Sequence, residues 1–134
     1  MRREFTDASD AALVVSIGRY QQAALAEAYR RHAGAAFGLA KRLLNDHARA
    51  EEVVQEVFVR LWNEPNRFDP ERGTLRSFLL ADTHGRSVDL IRSDVARRRG
   101  ALAHLLPLLL VACAALGAWL AYRREQPGAM EDRS

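Results

Sequence analysis

EEVVQEVFVRLW, residues Glu51 to Trp62, has the apolar spacing of an amphipathic helix. A helix turns about 100° per residue, so its apolar side chains form one broad stripe that would face a core. The stripe consists of Val53, Val54, Val57, Phe58, Leu61 and Trp62. The opposite side is polar and acidic, yet Val59 lies in its middle. This pattern fits a binding surface, and it also fits a solvated face with one exposed valine.

Helical periodicity extends to both sides of this stretch. The predicted helices span residues 20–31, 36–44, 51–64 and 75–95. Gly34 separates the first two helices, and Pro65 ends the third because proline disfavours helix at the residue before it. Thr74 is well placed to cap the fourth helix. We therefore predict an all-α fold, a small helical bundle.

Composition limits the classes of function. The chain has 134 residues, 49% of them apolar and 28% charged, which is typical of one small domain with a short extension. The net charge of +3 does not by itself indicate nucleic acid. Cys113 is the single cysteine, so no intrachain disulfide can form. His47 and Glu51 are spaced like two metal ligands but lack further ligands, and we expect no metal, no cofactor and no enzymatic activity.

The region after Gly100 differs from the rest of the chain. Residues 101–122 contain no formally charged side chain and are long enough to cross a hydrocarbon layer of about 30 Å. Trp119 and Tyr122 suit a membrane interface, and residues 97–99 are three arginines that suit its cytosolic side. We predict a transmembrane helix here, with a hydrophobic helix folded back on the bundle as the alternative. The amino terminus lacks the apolar run of a secretory signal, so the bundle is expected in the cytosol.

Three blocks of sequence carry a resemblance to a known family. They are ALAEAYRRHAGAAFGLAKRLLNDHARAEEVVQEVFVRLW, RFDPERGTLRSFLL and RSVDLIRSDVARRR. In this order and at these distances they resemble region two of bacterial RNA polymerase sigma factors, in the extracytoplasmic-function group of the sigma-70 family. The expected organisation is a disordered N-terminus over residues 1–11 and a region-two-like domain over 12–99. A hydrophobic helix over 100–122 and a polar tail over 123–134 would follow.

The resemblance implies two binding surfaces. In the family, the helix that matches residues 51–62 docks on the β′ clamp helices of core RNA polymerase. The resemblance therefore implies polymerase binding by Glu52, Gln55, Glu56 and Val59. The loop matching residues 67–76 captures a base flipped from the minus-ten element, and the next helix lies against promoter DNA. The DNA-binding residues implied are Arg67, Phe68, Arg72, Arg76, His84, Arg86 and Arg92. For Phe68 two roles are open, a stacking surface for a base or a plug in the core.

Two departures from the family affect the expected function. Many members carry an asparagine where this chain has Gly85, so the preferred base is open. Region four, which reads the minus-thirty-five element, has no counterpart after Arg99. The resemblance implies a factor that binds polymerase and melts the minus-ten element. A membrane-anchored docking module for polymerase or an anti-sigma factor, without initiation, is the alternative, as is a truncated sigma factor.

Overall fold

The computed structural model describes residues 4–124, and all of its regular elements are helices. They are α1 (Asp10–Gly18), α2 (Gln22–Leu44), α3 (His47–Asn63), a single 3-10 turn (Pro65–Arg67) and α4 (Leu75–Arg124). The predicted all-α class is confirmed. The chain divides into two compact units, Met1–Arg92 and Ser93–Ser134, each described by itself below.

Helix α3 buries the apolar stripe that the periodicity predicts. Five of the six stripe residues are buried and Trp62 is partly buried. Asp46 begins the helix by accepting a hydrogen bond from the backbone N–H of Arg49 at 3.2 Å. The helix ends at Asn63, two residues before Pro65, as the restriction on residues before proline requires. The rotational setting of α3, on which both of its faces depend, is therefore the predicted one.

Helix α2 is continuous, so the prediction of two helices separated by Gly34 was wrong. A glycine in a helix interior costs about 1 kcal/mol relative to alanine, which packing can offset. Alanines along one face of α2 supply that packing, because their small side chains allow close approach to neighbouring helices. The buried alanines are Ala24, Ala28, Ala36 and Ala40. The helix ends at Leu44, as predicted, and Asn45 follows in the left-handed conformation with φ of 50°.

The first unit begins earlier than expected. Helix α1 starts at Asp10, inside the range 1–11 for which disorder was expected, and Ser9 caps it. Ahead of it, Arg31 of α2 donates hydrogen bonds to the backbone carbonyls of Phe5 at 3.0 Å and Ala8 at 2.8 Å. One guanidinium thus holds the segment before α1. The buried residues of α1 are Leu13, Val14 and Ile17. Residues 1–3 lie outside the described part of the chain.

The beginning of α4 completes the core of the first unit. Thr74 caps this helix as predicted, since its hydroxyl oxygen accepts the Ser77 backbone N–H at 3.1 Å. Buried residues then recur every fourth position, which places them on one face of the helix. They are Leu75, Leu79, Thr83 and Ser87. The remaining positions of this segment are left for other contacts.

The second unit is helical as far as it is described. Within α4 it contains a stretch that is long and apolar enough to cross a membrane, with a mean hydropathy of 2.2 and none of it buried. The guanidinium of Arg123 lies 5.0 Å from the ring centre of Trp119. Arg123 and Arg124 belong to the helix, whereas residues 125–134 of the expected polar tail lie outside the described residues.

Candidate functional site

The outer face of α3 brings together the four residues implied in polymerase binding. Glu52, Gln55, Glu56 and Val59 are all exposed and border one open depression. Val59 is 57% exposed, although it is an aliphatic residue in a well-packed helix. The face therefore combines three polar side chains that can orient a partner with an apolar group that loses water on contact.

An apolar groove between α2 and α3 adjoins this face. Val59 lies on its edge too, and the other apolar lining residues are Leu25, Ala26, Tyr29, Phe58 and Trp62. The rings of Tyr29 and Phe58 meet edge to face with centroids 5.0 Å apart. Tyr29 itself is 48% exposed. The exposed apolar surface around Val59 is thus wider than the sequence indicated.

Glu56 and Arg86 form an ion pair between α3 and α4. The Nε of Arg86 donates to Oε2 of Glu56, and its second nitrogen donates to Oε1 at 3.3 Å. Hydrogen bonding to Glu56 raises the pKa of Arg86 above its ordinary value, although partial burial of Arg86 acts to lower it. Both side chains are nearly half exposed, so solvent screens the attraction. A residue implied in polymerase binding is therefore in direct contact with one implied in DNA binding.

Arg67 is also engaged within the protein. Its two terminal nitrogens donate to the two carboxylate oxygens of Asp82 at 3.2 and 3.1 Å. Arg60 of α3 reaches the same carboxylate at 3.4 Å. The side chain of Asp82 is only 12% exposed. The hydrogen bond that Arg67 donates to Asp82 raises the pKa of Arg67. Sequence reasoning missed Asp82, because nothing in the local pattern distinguishes a paired carboxylate from a solvated one.

A concave pocket lies between the loop after α3 and the start of α4. Its lining residues are Asn66, Arg67, Phe68, Asp69, Arg72, Gly73, Thr74, Ser77, Phe78 and Ala81. Phe68 is only 8% exposed and meets Phe78 edge to face at 5.6 Å between centroids. The structure thus favours the core-plug interpretation of Phe68 over a free stacking surface. Arg72 is the opposite case, with its side chain 89% exposed at the pocket rim.

The remaining DNA-binding candidates are exposed along α4. They are Arg76, His84 and Arg92. Their positions along one helix suit contacts with a nucleic-acid backbone. His47 and Glu51 contact each other at 3.0 Å on the surface. Within residues 4–124, no group of three or more His, Cys, Asp or Glu side chains could hold a metal ion.

The first unit is thus a helical domain with an exposed acidic-apolar face on α3 and exposed arginines in the loop after α3 and along α4. Residues 28–98, more than half of the chain, match the family described as Sigma-70 region 2. The chain therefore belongs to the sigma-70 family through its region 2 and resembles the extracytoplasmic-function group within it. This confirms the resemblance seen in the sequence, and the family consists of transcription initiation factors.

Curated relatives agree with this assignment. The chain is 34% identical over 85 residues to the ECF RNA polymerase sigma factor SigK of Mycobacterium tuberculosis H37Rv. The same identity is found with SigK of Mycobacterium bovis BCG Pasteur, and 33% over 73 residues with SigK of Mycobacterium sp. KMS. The matched segment covers 63% of this chain and 46% of the first two relatives. The chain thus spans about half the length of the curated relatives it matches.

Proposed function

We propose that this chain binds core RNA polymerase through the outer face of α3 and acts at the minus-ten element in transcription initiation. The observation that carries the proposal is the exposure of Val59 among Glu52, Gln55 and Glu56, while the rest of the α3 stripe is buried. Carboxylates register against basic residues of a partner, and a desolvated aliphatic group supplies affinity that rim charges usually do not. The β′ clamp helices are the partner that the family implies.

The second half of the proposal concerns single-stranded DNA. Extracting a base from the stack costs a few kcal/mol, so a shaped pocket must return that energy. The pocket between the loop and α4 is concave, and Arg72 and Arg76 are exposed beside it. With Phe68 in the core, backbone approach at Gly73 and phosphate contacts by these arginines remain for holding the strand.

A third element of the proposal is membrane attachment. Residues 101–122 would extend about 33 Å as a helix, which matches a hydrocarbon layer of about 30 Å. The positive-inside tendency would keep Arg97, Arg98 and Arg99 on the cytosolic side, so the region-two domain would face the nucleoid. Tethering would limit which promoters it reaches. An anti-sigma factor would compete with polymerase for the α3 face.

One experiment tests the central proposal. The full chain in mild detergent, and a chain ending at Arg99, are mixed with core polymerase and a promoter library. Retention of core polymerase together with melting of minus-ten sequences is expected. Failure of both chains to bind core polymerase, while their helical circular dichroism is normal, would overturn the docking assignment.

DNA contact is tested separately. Arg72→Ala and Arg76→Ala should each weaken binding to a single-stranded minus-ten oligonucleotide. Each should also make the negative slope of log K against log salt shallower by about one, because one phosphate contact is lost. Arg42→Ala, which removes an exposed arginine near the end of α2, is the matched control. Equal slopes in all three variants would contradict the assignment of phosphate contacts to Arg72 and Arg76.

The docking module without initiation is the second candidate, favoured by the apolar stretch in the second unit. It predicts polymerase binding with no melting of any promoter. For the anchor itself, we expect the full chain to resist carbonate extraction and to need detergent, while the chain ending at Arg99 stays soluble. A full-length chain that is soluble and monomeric without detergent would favour a helix packed on the bundle.

A further inference from the structure

Asp82 has an environment that none of the implied binding roles explains. It lies on α4, one turn after Phe78, and its side chain is 12% exposed. Both of its oxygens accept hydrogen bonds from Arg67, and one of them also lies 3.4 Å from Arg60. Three segments therefore meet at one carboxylate: α3 through Arg60, the 3-10 turn through Arg67, and α4 itself.

The formal charges in this cluster balance. The carboxylate of Glu64 lies 3.7 Å from both Arg60 and Arg67, so two guanidinium groups face two carboxylates. Exposed ion pairs usually contribute little to stability. This one differs, because Asp82 is largely removed from solvent and the Arg67 contact is bidentate, a geometry that orients as well as attracts. Loss of the Asp82 charge would leave two cations facing one carboxylate.

Arg67 transmits the position of Asp82 to the loop pocket. Its guanidinium carbon lies 5.4 Å from the ring centre of Phe78, and Phe78 in turn packs against Phe68. Arg67, Phe68 and Phe78 all line the pocket, whereas Asp82 lies behind them and does not. The carboxylate thus braces one wall of the pocket from the outside.

We propose that Asp82 is a positioning residue that fixes Arg67, and with it the first part of the loop, in the shape that receives an extruded base. Arg67 is then a structural residue held by its two hydrogen bonds to Asp82, and it does not contact phosphate. This inference rests on the proposed function, since the base belongs to the single-stranded minus-ten element. It assigns to Arg67 a different role from the one the family resemblance implied.

The two roles for Arg67 predict different salt dependences for the Arg67→Ala variant. If Arg67 contacts a phosphate, Arg67→Ala makes the negative slope of log K against log salt shallower by about one. If Arg67 is a structural residue, Arg67→Ala weakens binding and leaves the slope unchanged. Asp82→Asn frees Arg67 for a phosphate, so the negative slope should become steeper by about one and affinity for any single strand should increase. Discrimination between minus-ten and scrambled oligonucleotides should fall about tenfold, as expected when coupled neighbours are separated.

The experiment uses the full chain in detergent with core polymerase and measures both oligonucleotides across a salt series. Asp89→Asn is the matched control, because it removes one negative charge from an exposed position on the same helix. A shallower salt dependence in Arg67→Ala would overturn the proposal. Equal effects of Asp82→Asn and Asp89→Asn would also overturn it.

A DNA-free measurement separates this inference from the proposed function. With 4-fluorophenylalanine incorporated, the fluorine signals of Phe68 and Phe78 should shift or broaden in Asp82→Asn and remain unchanged in Asp89→Asn. If the wild-type chain shows no preference for the minus-ten strand, the proposed function fails, and the fluorine spectra still decide whether Asp82 holds the loop. Unchanged signals in Asp82→Asn would overturn the positioning role.

Discussion

Replacement of Val59 by alanine is the sharpest test of the α3 face. The substitution removes two methyl-sized groups, worth about 1.6 kcal/mol when fully buried. In the free chain 57% of Val59 is exposed, so only that share is left to be buried by a partner. The expected loss is about 0.9 kcal/mol, or about a fivefold rise in the Kd for core polymerase. Fluorescence anisotropy with a labelled chain would measure it.

Val15 offers a closely matched control on α1. It is 56% exposed, and Val15→Ala makes the same chemical change with the same gain in helix propensity. Its Kd should equal that of the wild-type chain. Urea unfolding of both variants would separate binding from stability. Equal losses for the two variants, or no loss for Val59→Ala, would refute the reasoning that burial of Val59 contributes to docking.

Charged substitutions on the same face should have larger effects. Val59→Arg places a cation where the partner is expected to be basic, and we expect it to abolish association while the helix stays folded. Glu56→Arg should also abolish association, but it disrupts the ion pair with Arg86 at the same time. Val59→Arg is therefore the cleaner variant, and unchanged retention of core polymerase by it would remove the docking face.

Two further predictions concern the bundle itself. Leu61→Ala should lower the free energy of unfolding by about 2–5 kcal/mol in a urea titration, because Leu61 is 2% exposed and its removal leaves a cavity; a loss below about 1 kcal/mol would show that the site collapses. Hydrogen bonds from Arg30 and then Arg31 lower the pKa of Glu27 below its model-peptide value of 4.5. Its contribution to stability is thus present above pH 4.5 and lost as the pH falls below that value through the folded-state pKa. Glu27→Gln should flatten the acid side of the stability profile, and an unchanged acid limb would contradict this assignment.

The local pattern was informative wherever geometry repeats along one helix. The stripe of α3, the end of that helix before Pro65 and the cap at Thr74 follow from helical periodicity and backbone restriction alone. Gly34 misled the prediction of α2, because the packing of buried alanines outweighs the cost of one glycine. The segment before α1 was misjudged for a related reason, since Arg31, more than twenty residues away, holds it.

The candidate site divides in the same way. Exposure of Glu52, Gln55, Glu56 and Val59 is a property of one helix, and the sequence was sufficient to predict it. The burial of Phe68 was not predictable, because a residue beside a turn faces inward or outward according to what packs against it. Phe78, ten residues further along the chain, decides that outcome.

By itself, the sequence determined the all-α class, the family, the two faces of α3 and the apolar stretch at residues 101–122, because each is written in spacing or composition within one segment. The tertiary structure decided which charges meet. Glu56 pairs with Arg86, and Asp82 with Arg67, across 30 and 15 residues of chain. Such pairs depend on how each helix is rotated about its axis and how far along it lies, and those two quantities are set by core packing between segments. The roles of Arg67 and Arg86 therefore become open questions only once the helices are assembled.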